Sequence, residues 1–224
     1  MNMIGKPIRR EEDFRLLRGR GRYLDDVNVL RQTYGYVFRS PVAHAEILAL
    51  DTSAASSAPG VIAVLTGDDL ETRGLGTLVP SNPGKRSDGS PGFVCAQPLL
   101  AQRRVRFVGE PVAFIVADTV DHAKDASELI EIELNPLPVI ASVDEALAEG
   151  APAIWPDNPD NEAYCFERGD AVSVQTNFTQ AAHIIRHRVC VNRVAGNAIE
   201  NRGCIGLYDA FEDRYTLRAT VQSV

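Results

Sequence analysis

The sequence predicts an α+β fold, and three observations carry that prediction. Runs with the length and composition of β-strands recur along the chain. A single well-marked helical pattern, at 121–129, lies between two of them. The final third closes on two more strand-like runs joined by a polar turn. Residues 32–39 (QTYGYVFR) alternate and are rich in aromatic and β-branched residues; Ser40-Pro41 ends the run. Residues 45–50 read as a second strand and 52–57 as a short helix stopped by Pro59-Gly60. Residues 61–65 (VIAVL) are continuously apolar, as in a strand covered on both faces. Residues 70–98 hold Gly74, Gly76, Pro80, Pro83, Gly84, Gly89, Pro91, Gly92 and Pro98. This reads as a long irregular excursion that covers a surface in the assembled protein.

The clearest local unit is 105–139. Residues 112–117 are an apolar strand. Asp118 to Asp121 offer caps, and Ala123, Ala126 and Leu129/Ile130 share one helix face. Residues 130–134 alternate again. Strand, helix and strand in so short a span read as a βαβ-type or split βαβ unit, ended by Pro136 and Pro138. Residues 142–147 predict one more short helix, capped by Ser142. Prolines, Asp and Asn crowd 150–169, and a domain boundary is placed there. Beyond it the pattern gives a helix-like turn at 178–182, a strand at 184–191, and strands at 204–208 and 215–221 around a polar turn at 209–214. The chain stops at Val224 just after a strand, which reads as a truncation or as one product of a split gene.

Bulk properties exclude several classes. The chain has 224 residues, 45% of them hydrophobic and 24% charged, as in an ordinary globular protein. Its 23 basic and 30 acidic residues give a net charge of −7, which argues against a nucleic-acid binder and against an anionic membrane surface. The basic cluster Arg18-Gly19-Arg20-Gly21-Arg22 is too small a footprint to reverse that and reads as a packing loop. No window approaches the roughly 18 consecutive apolar residues of a membrane span, and the polar N-terminus lacks the apolar stretch of a secretory signal. Cys95, Cys165, Cys190 and Cys204 are widely spaced, without C-x-x-C, so they read as reduced thiols of a cytoplasmic protein. There is no dinucleotide fingerprint, P-loop, nucleophile elbow or H-E-x-x-H.

The remaining candidates are few. Glu110, in G-E-P-V-A, reads as a turn carboxylate that accepts backbone hydrogen bonds or pairs with an arginine, rather than as a catalytic acid. His183 and His187 are four apart, but no third ligand follows with convincing spacing. His44 and His122 stand singly. Glu200 and Arg202 flank a turn that could position oxygens, or could pair within the scaffold; Asp25 and Asp26 read as solvated.

Several segments follow one family pattern in order. They are Gly19-x-Gly21-x-Tyr23-x-x-Asp26; Ser40-Pro41-x-Ala43-His44-Ala45; and Pro59-Gly60-Val61 leading to Thr66-Gly67-Asp68-Asp69-Leu70. Then come Val105-x-Phe107-Val108-Gly109-Glu110-Pro111-Val112-Ala113, Leu137-Pro138, Asp160-Asn161 and Gly169-Asp170. Asn192-Arg193, Glu200-x-Arg202-Gly203, Tyr208-Asp209 and the strand ending in Gln222 complete the series. The chain thereby resembles the amino-terminal part of the molybdopterin-binding large subunit of the xanthine dehydrogenase and aerobic carbon monoxide dehydrogenase family. Asp160-Asn161 with Gly169-Asp170 looks closest to the carbon monoxide dehydrogenase branch.

The resemblance implies an α/β hammerhead domain followed by the first elements of a molybdopterin-binding α+β domain. The extents are an arm at 1–19, the hammerhead at 20–148, a linker at 149–168 and the partial molybdopterin-binding domain at 169–224. It implies oxidative hydroxylation of CO, an aldehyde, a purine or an N-heterocycle. The cofactor is molybdenum on molybdopterin, in the cytosine dinucleotide form usual in bacteria, and electrons pass to 2Fe-2S clusters and FAD on partner subunits. Those two subunits, the remaining large-subunit segments and a small-molecule substrate are the implied partners. Gln222 is the one residue carried over as cofactor-binding, since an amide N–H at a strand end can approach a metal oxygen. Asn201 departs from the family, where proline is common. The family's catalytic glutamate and main pterin-binding segments lie further along than this chain, so the chain is expected to be inactive alone. The rival reading is a non-catalytic scaffold that docks the partner subunits. Residues 20–148 are expected to fold alone and 170–224 to be sticky when isolated. Limited proteolysis should therefore cut the back half first, and a front half cut first would contradict this.

Overall fold

Ahead of the first strand the helical elements among the described residues are single turns, α1 (Asp13–Leu16) and a 3-10 turn at Leu24–Asp26. A computed structural model describes residues 4–191 and 194–221. The chain divides into two compact units, 33–182 and 1–32 with 183–224.

Residues 33–182 build two three-stranded antiparallel sheets from β1 (Tyr34–Arg39), β2 (Ala45–Asp51), β3 (Val61–Thr66), β4 (Arg104–Val105), β5 (Pro111–Ala117) and β6 (Glu131–Pro136). One sheet runs β1-β5-β3 and the other β4-β2-β6. The strand pattern at 112–117 is the central strand of the first sheet, as continuous apolar character requires. The helix pattern is α4 (Val120–Glu128), whose N-cap Thr119 accepts from the His122 amide at 3.1 Å. The βαβ expectation is corrected: β5 and β6 flank α4 in sequence but belong to different sheets, so the helix carries the chain from one sheet to the other. Three further helices are short: α2 (Ser53–Ser56), α3 (Gly67–Thr72) and α5 (Val143–Ala146). α3, which the sequence pattern does not announce, begins with a reciprocal cap in which Asp69 accepts from the Thr66 amide at 2.7 Å.

Two clusters of buried side chains meet at Phe38 and Leu50. One holds Ala55, Ala113, Ile115, Ala117, Ala123, Ala126 and Ile130; the other holds Ala45, Ala101, Val105 and Val112. Period-two alternation explains the split, because Val112 points to one side of β5 and Ala113, Ile115 and Ala117 to the other. Alanines on both α4 and β5 let helix and sheet approach closely.

The excursion is partly structured. It pairs with itself at Leu78–Gln97 and meets the 154–165 segment through Lys85–Cys165. Past that segment, α6 (Ala171–Gln180) starts at Asp170, whose carboxylate accepts from the Ser173 amide at 2.9 Å. The expected turn at 178–182 is thus the end of a longer helix. The expected strand at 184–191 is also corrected: the segment is exposed and forms neither strand nor helix. In the second unit β7 (Cys204–Asp209) and β8 (Arg214–Ala219) form a hairpin in register from Cys204↔Ala219 to Asp209↔Arg214. Tyr208 and Tyr215 stack across it with centroids 4.6 Å apart.

Glu110 offers a direct test of the packing. It is 2% exposed, and its carboxylate accepts the Arg106 amide while its own carbonyl accepts from the Ser40 amide at 2.9 Å. Glu110→Ala strands that buried donor and lowers unfolding stability by about 1–3 kcal/mol, whereas Glu110→Gln keeps an acceptor and costs about 1 kcal/mol or less. Burial pushes the Glu110 carboxyl above the ordinary glutamate range, against the pull of the Arg106 amide and guanidinium. Above pH 4.5 Glu110 therefore keeps more of its proton in the folded chain than in the unfolded one, and its own contribution to stability falls as pH rises. Urea unfolding across pH should show that slope in the parent and not in Glu110→Gln.

The entry to α4 is also pH-sensitive. Gly60 has φ +74 and sits against His122 and Asp118, where a Cβ would overlap both side chains. His122 Nδ1 lies 2.6 Å from Asp118 Oδ1, and this hydrogen bond raises the imidazole pKa above its ordinary 6.5 and lowers that of the carboxyl. The histidine's contribution is present below 6.5 and lost as pH rises through the raised value; that of the aspartate is lost as pH falls through its lowered one. A proton NMR titration should place the His122 midpoint above 6.5, and Asp118→Asn should lower it.

Candidate functional site

The chain passes between the two sheets at 40–44, from β1 to β2, and at 106–110, from β4 to β5. These two crossovers are bonded to each other. The Gly109 amide donates to the Ser40 carbonyl at 2.8 Å, the Ser40 amide to the Glu110 carbonyl at 2.9 Å, and the Arg39 guanidinium to the Gly109 carbonyl at 2.9 Å. The Leu137 amide donates to the His44 carbonyl at 3.0 Å, and the His44 ring Nδ1 lies 2.7 Å from the Pro138 carbonyl. A carbonyl only accepts, so Nδ1 carries the hydrogen there. Three motifs far apart in sequence, S-P-x-A-H-A, G-E-P-V-A and Leu137-Pro138, thus converge on one polar junction. Glu110 takes the role expected of it, a turn carboxylate that accepts a backbone amide.

The junction encloses buried polar and charged side chains. His44 is 4% exposed, and its Nε2 has no hydrogen-bond partner; neither has the buried Nε of Arg106. Desolvation lowers the Arg106 pKa, opposed by the nearby Glu110 charge. The Arg106 guanidinium lies 3.8 Å above the Trp155 ring, and Phe93 meets the same indole edge-on at 6.0 Å. The Arg106 guanidinium against the Trp155 face fastens the connecting segment to the turn, whose backbone amide at Arg106 is held by Glu110.

The remaining candidates are placed as follows. Glu200 Oε1 accepts the Leu24 amide at 2.9 Å, tying the amino-terminal stretch to 194–203 within the same unit. Asp26 accepts the Tyr23 amide at 2.9 Å and closes the 3-10 turn, while Arg202 is exposed. His183 and His187 are exposed on an irregular stretch. Among the described residues no group of three or more His, Cys, Asp or Glu could hold a metal ion, so nothing in them fits a metal ligated directly by protein. Gln222, and Asn192-Arg193 of the motif series, lie outside the described residues. No helix among the described residues is long and apolar enough to cross a membrane.

The motif residues Asp160-Asn161 and Gly169-Asp170 have physical roles. Asn161 adopts φ +59, accepts the Ile154 amide at 3.0 Å and donates to the Ala146 and Pro152 carbonyls. Asp160 pairs with Arg86, and Asp170 caps α6. Sequence reasoning misses Arg86 and Trp155. A lone arginine in a Gly/Pro-rich stretch carries no periodic signal, although Trp155 stands out as the single tryptophan of the chain.

The model of the aldehyde oxidase and xanthine dehydrogenase a/b hammerhead domain matches residues 18–138. The chain is 39% identical to the nicotine 6-hydroxylase large subunit of Paenarthrobacter nicotinovorans over 99% of its length and 26% of that protein's. It is 32% identical to the carbon monoxide dehydrogenase large chain of Afipia carboxidovorans over 98% of its length and 27% of that chain. In shape it matches Cu,Mo-containing CO dehydrogenase in the carbon monoxide reduced state with a TM-score of 0.79 and 31% identity, over 96% of this chain and 27% of that one. It matches quinoline 2-oxidoreductase from Pseudomonas putida 86 with a TM-score of 0.76 and 31% identity, over 99% of this chain and 27% of that one. The chain therefore spans about a quarter of the length of these relatives. With its two exchanging sheets, its G-E-P-V-A junction and the matched span from 18 to 138, the chain belongs to the aldehyde oxidase and xanthine dehydrogenase hammerhead family.

Proposed function

We propose that this chain is the amino-terminal part of the molybdenum-cofactor subunit of a molybdenum hydroxylase of the carbon monoxide dehydrogenase large-subunit type. The observation that supports this most is agreement of sequence and shape over nearly the whole chain: 32% identity across 98% of it and a TM-score of 0.79. In this reading residues 1–19 are an arm, 20–148 the hammerhead domain, 149–168 the connection and 169–224 the first segment of the molybdopterin-binding domain. Molybdopterin, in its cytosine dinucleotide form, supplies oxygen-transfer and two-electron redox chemistry when bound.

The chain's own part is to form one wall of that site. Gln222 follows the end of β8 by three positions, and its amide is the donor offered to the cofactor. The junction of His44, Arg106 and Glu110 is scaffold, since the Glu110 carboxylate and His44 Nδ1 are taken up by turn backbone. Substrates are CO, an aldehyde, a purine or an N-heterocycle. The higher identity to the nicotine 6-hydroxylase subunit, 39% against 32%, weights that list towards N-heterocycles. Electrons leave to 2Fe-2S clusters and FAD on two partner subunits in the cytoplasm. In this reading activity requires the segments that correspond to the remaining three-quarters of the relatives' length.

Elemental mass spectrometry tests this on the purified chain and on the chain co-expressed with the remaining large-subunit segments and both partner subunits. Molybdenum in the co-purified complex and none in the chain alone is the expected result, with loss of molybdenum or activity in Gln222→Ala. Retained partners with no molybdenum in either sample would favour the scaffold reading and remove Gln222 from the site.

A further inference from the structure

The excursion and the proline-rich connection are joined by a dense set of bonds that neither the hammerhead core nor the proposed cofactor wall uses. Arg86 Nη1 donates to Asn158 Oδ1 at 2.7 Å and to the Glu162 carbonyl at 2.8 Å, and its other Nη pairs with Asp160. The Ser87 amide and hydroxyl donate to the two Glu162 carboxylate oxygens at 2.7 and 2.8 Å. Backbone bonds run alongside: the Phe93 amide to the Ala163 carbonyl at 2.8 Å, and the Cys165 amide to the Lys85 carbonyl at 2.7 Å. Gly92 lies so close to the Pro83 and Ala163 carbonyls that any Cβ would overlap the backbone. One arginine of the excursion, its side chain four-fifths buried, thus bonds three residues of the connection.

The second fastening is aromatic. Trp155 belongs to the connection, Phe93 to the excursion and Arg106 to the turn between the sheets, and the indole touches both of the others. The loop pair is therefore held at two points of different chemistry. Arg86 fixes excursion to connection, and Trp155 fixes the pair to the hammerhead junction. Beneath that indole lies the Arg106 guanidinium, whose Nε has no partner.

We propose that residues 82–98 and 154–165 form a clasp: a strap that stays shut on the Arg106 junction and opens as one cooperative unit, with Arg86 as its lock. Closed, it turns the connection between α5 and α6 from a flexible tether into a fixed strut. Opening frees that connection and uncovers Arg106, Cys95 and Cys165 together. The two thiols are half-buried, whereas Cys190 and Cys204 are exposed and serve as internal references. The clasp is independent of the cofactor assignment, since it uses only bonds within 33–182.

Native-state amide exchange and thiol labelling on the full chain, comparing the parent with Arg86→Met, test it. Methionine keeps the apolar stem and removes the guanidinium. The amides of Ser87, Gly92, Phe93 and Cys165 should exchange at a common rate raised about tenfold or more, because charge-assisted bonds are lost from one opening unit. Cys95 and Cys165 should become more reactive by a similar factor, with Cys190, Cys204 and the β5 amides unchanged. Trp155→Leu should release the same amides from the other fastening. Should Arg86→Met also speed exchange in β5, Asp160→Asn carries the same readout, since it alters one exposed carboxylate alone. Amides on the two sides of the clasp that respond separately, or thiols that do not respond in any variant, would overturn the proposal.

Discussion

Consecutive strands from β1 to β6 alternate between two antiparallel sheets, and a short crossover takes the backbone through an irregular turn whose amides and carbonyls need partners. Two of the five crossovers, 40–44 and 106–110, lie against each other and supply each other's missing partners. Glu110 completes the arrangement by accepting the Arg106 amide from a position sealed off from water. Without that acceptor the turn ahead of β5 would bury an unsatisfied donor at the head of the central strand. Every pairing of β1 and β3 is made to β5, so the first sheet depends on this turn.

The sidedness of individual strands is legible in the sequence, but the partners of those strands are not. Alternation at 32–39 and the apolar runs at 61–65 and 112–117 locate β1, β3 and β5 to within a few residues. Whether β5 and β6 join one sheet is a question of long-range register, on which local pattern is silent; proximity in sequence favours the wrong answer. β4 is two residues long and gives no periodic signal. At 184–191 the β-branched residues favour a strand, yet a strand needs a neighbour for its backbone, and none of the described strands pairs with it. At 171–177 the β-branched residues mask a helix whose start, Asp170 with Ser173 three positions on, is readable as a cap.

The site is legible in a different way. The motif residues can be named in order, and the family they resemble is the one to which the chain belongs. Composition gives no hint that Ser40, His44, Glu110 and Pro138 converge, since their contacts span up to 94 positions in sequence. The excursion is harder still. Glycine and proline announce where the chain turns, but not what a single arginine within the turn will bind, and Arg86 finds its partners more than 70 residues away.

The larger of the two buried clusters is built largely of alanine: Ala55, Ala113, Ala117, Ala123 and Ala126 stand beside two isoleucines. Alanine is the smallest side chain that still has a Cβ, so nearly every replacement at these positions enlarges it, and the neighbouring wall has no slack to receive the added atoms. Such a core is lopsided towards mutation. Where a leucine-filled interior drifts by trading one shape for another of equal volume, the contact between α4 and β5 offers few trades. Tolerance to substitution is thereby shifted outward, onto the exposed faces and into the loops.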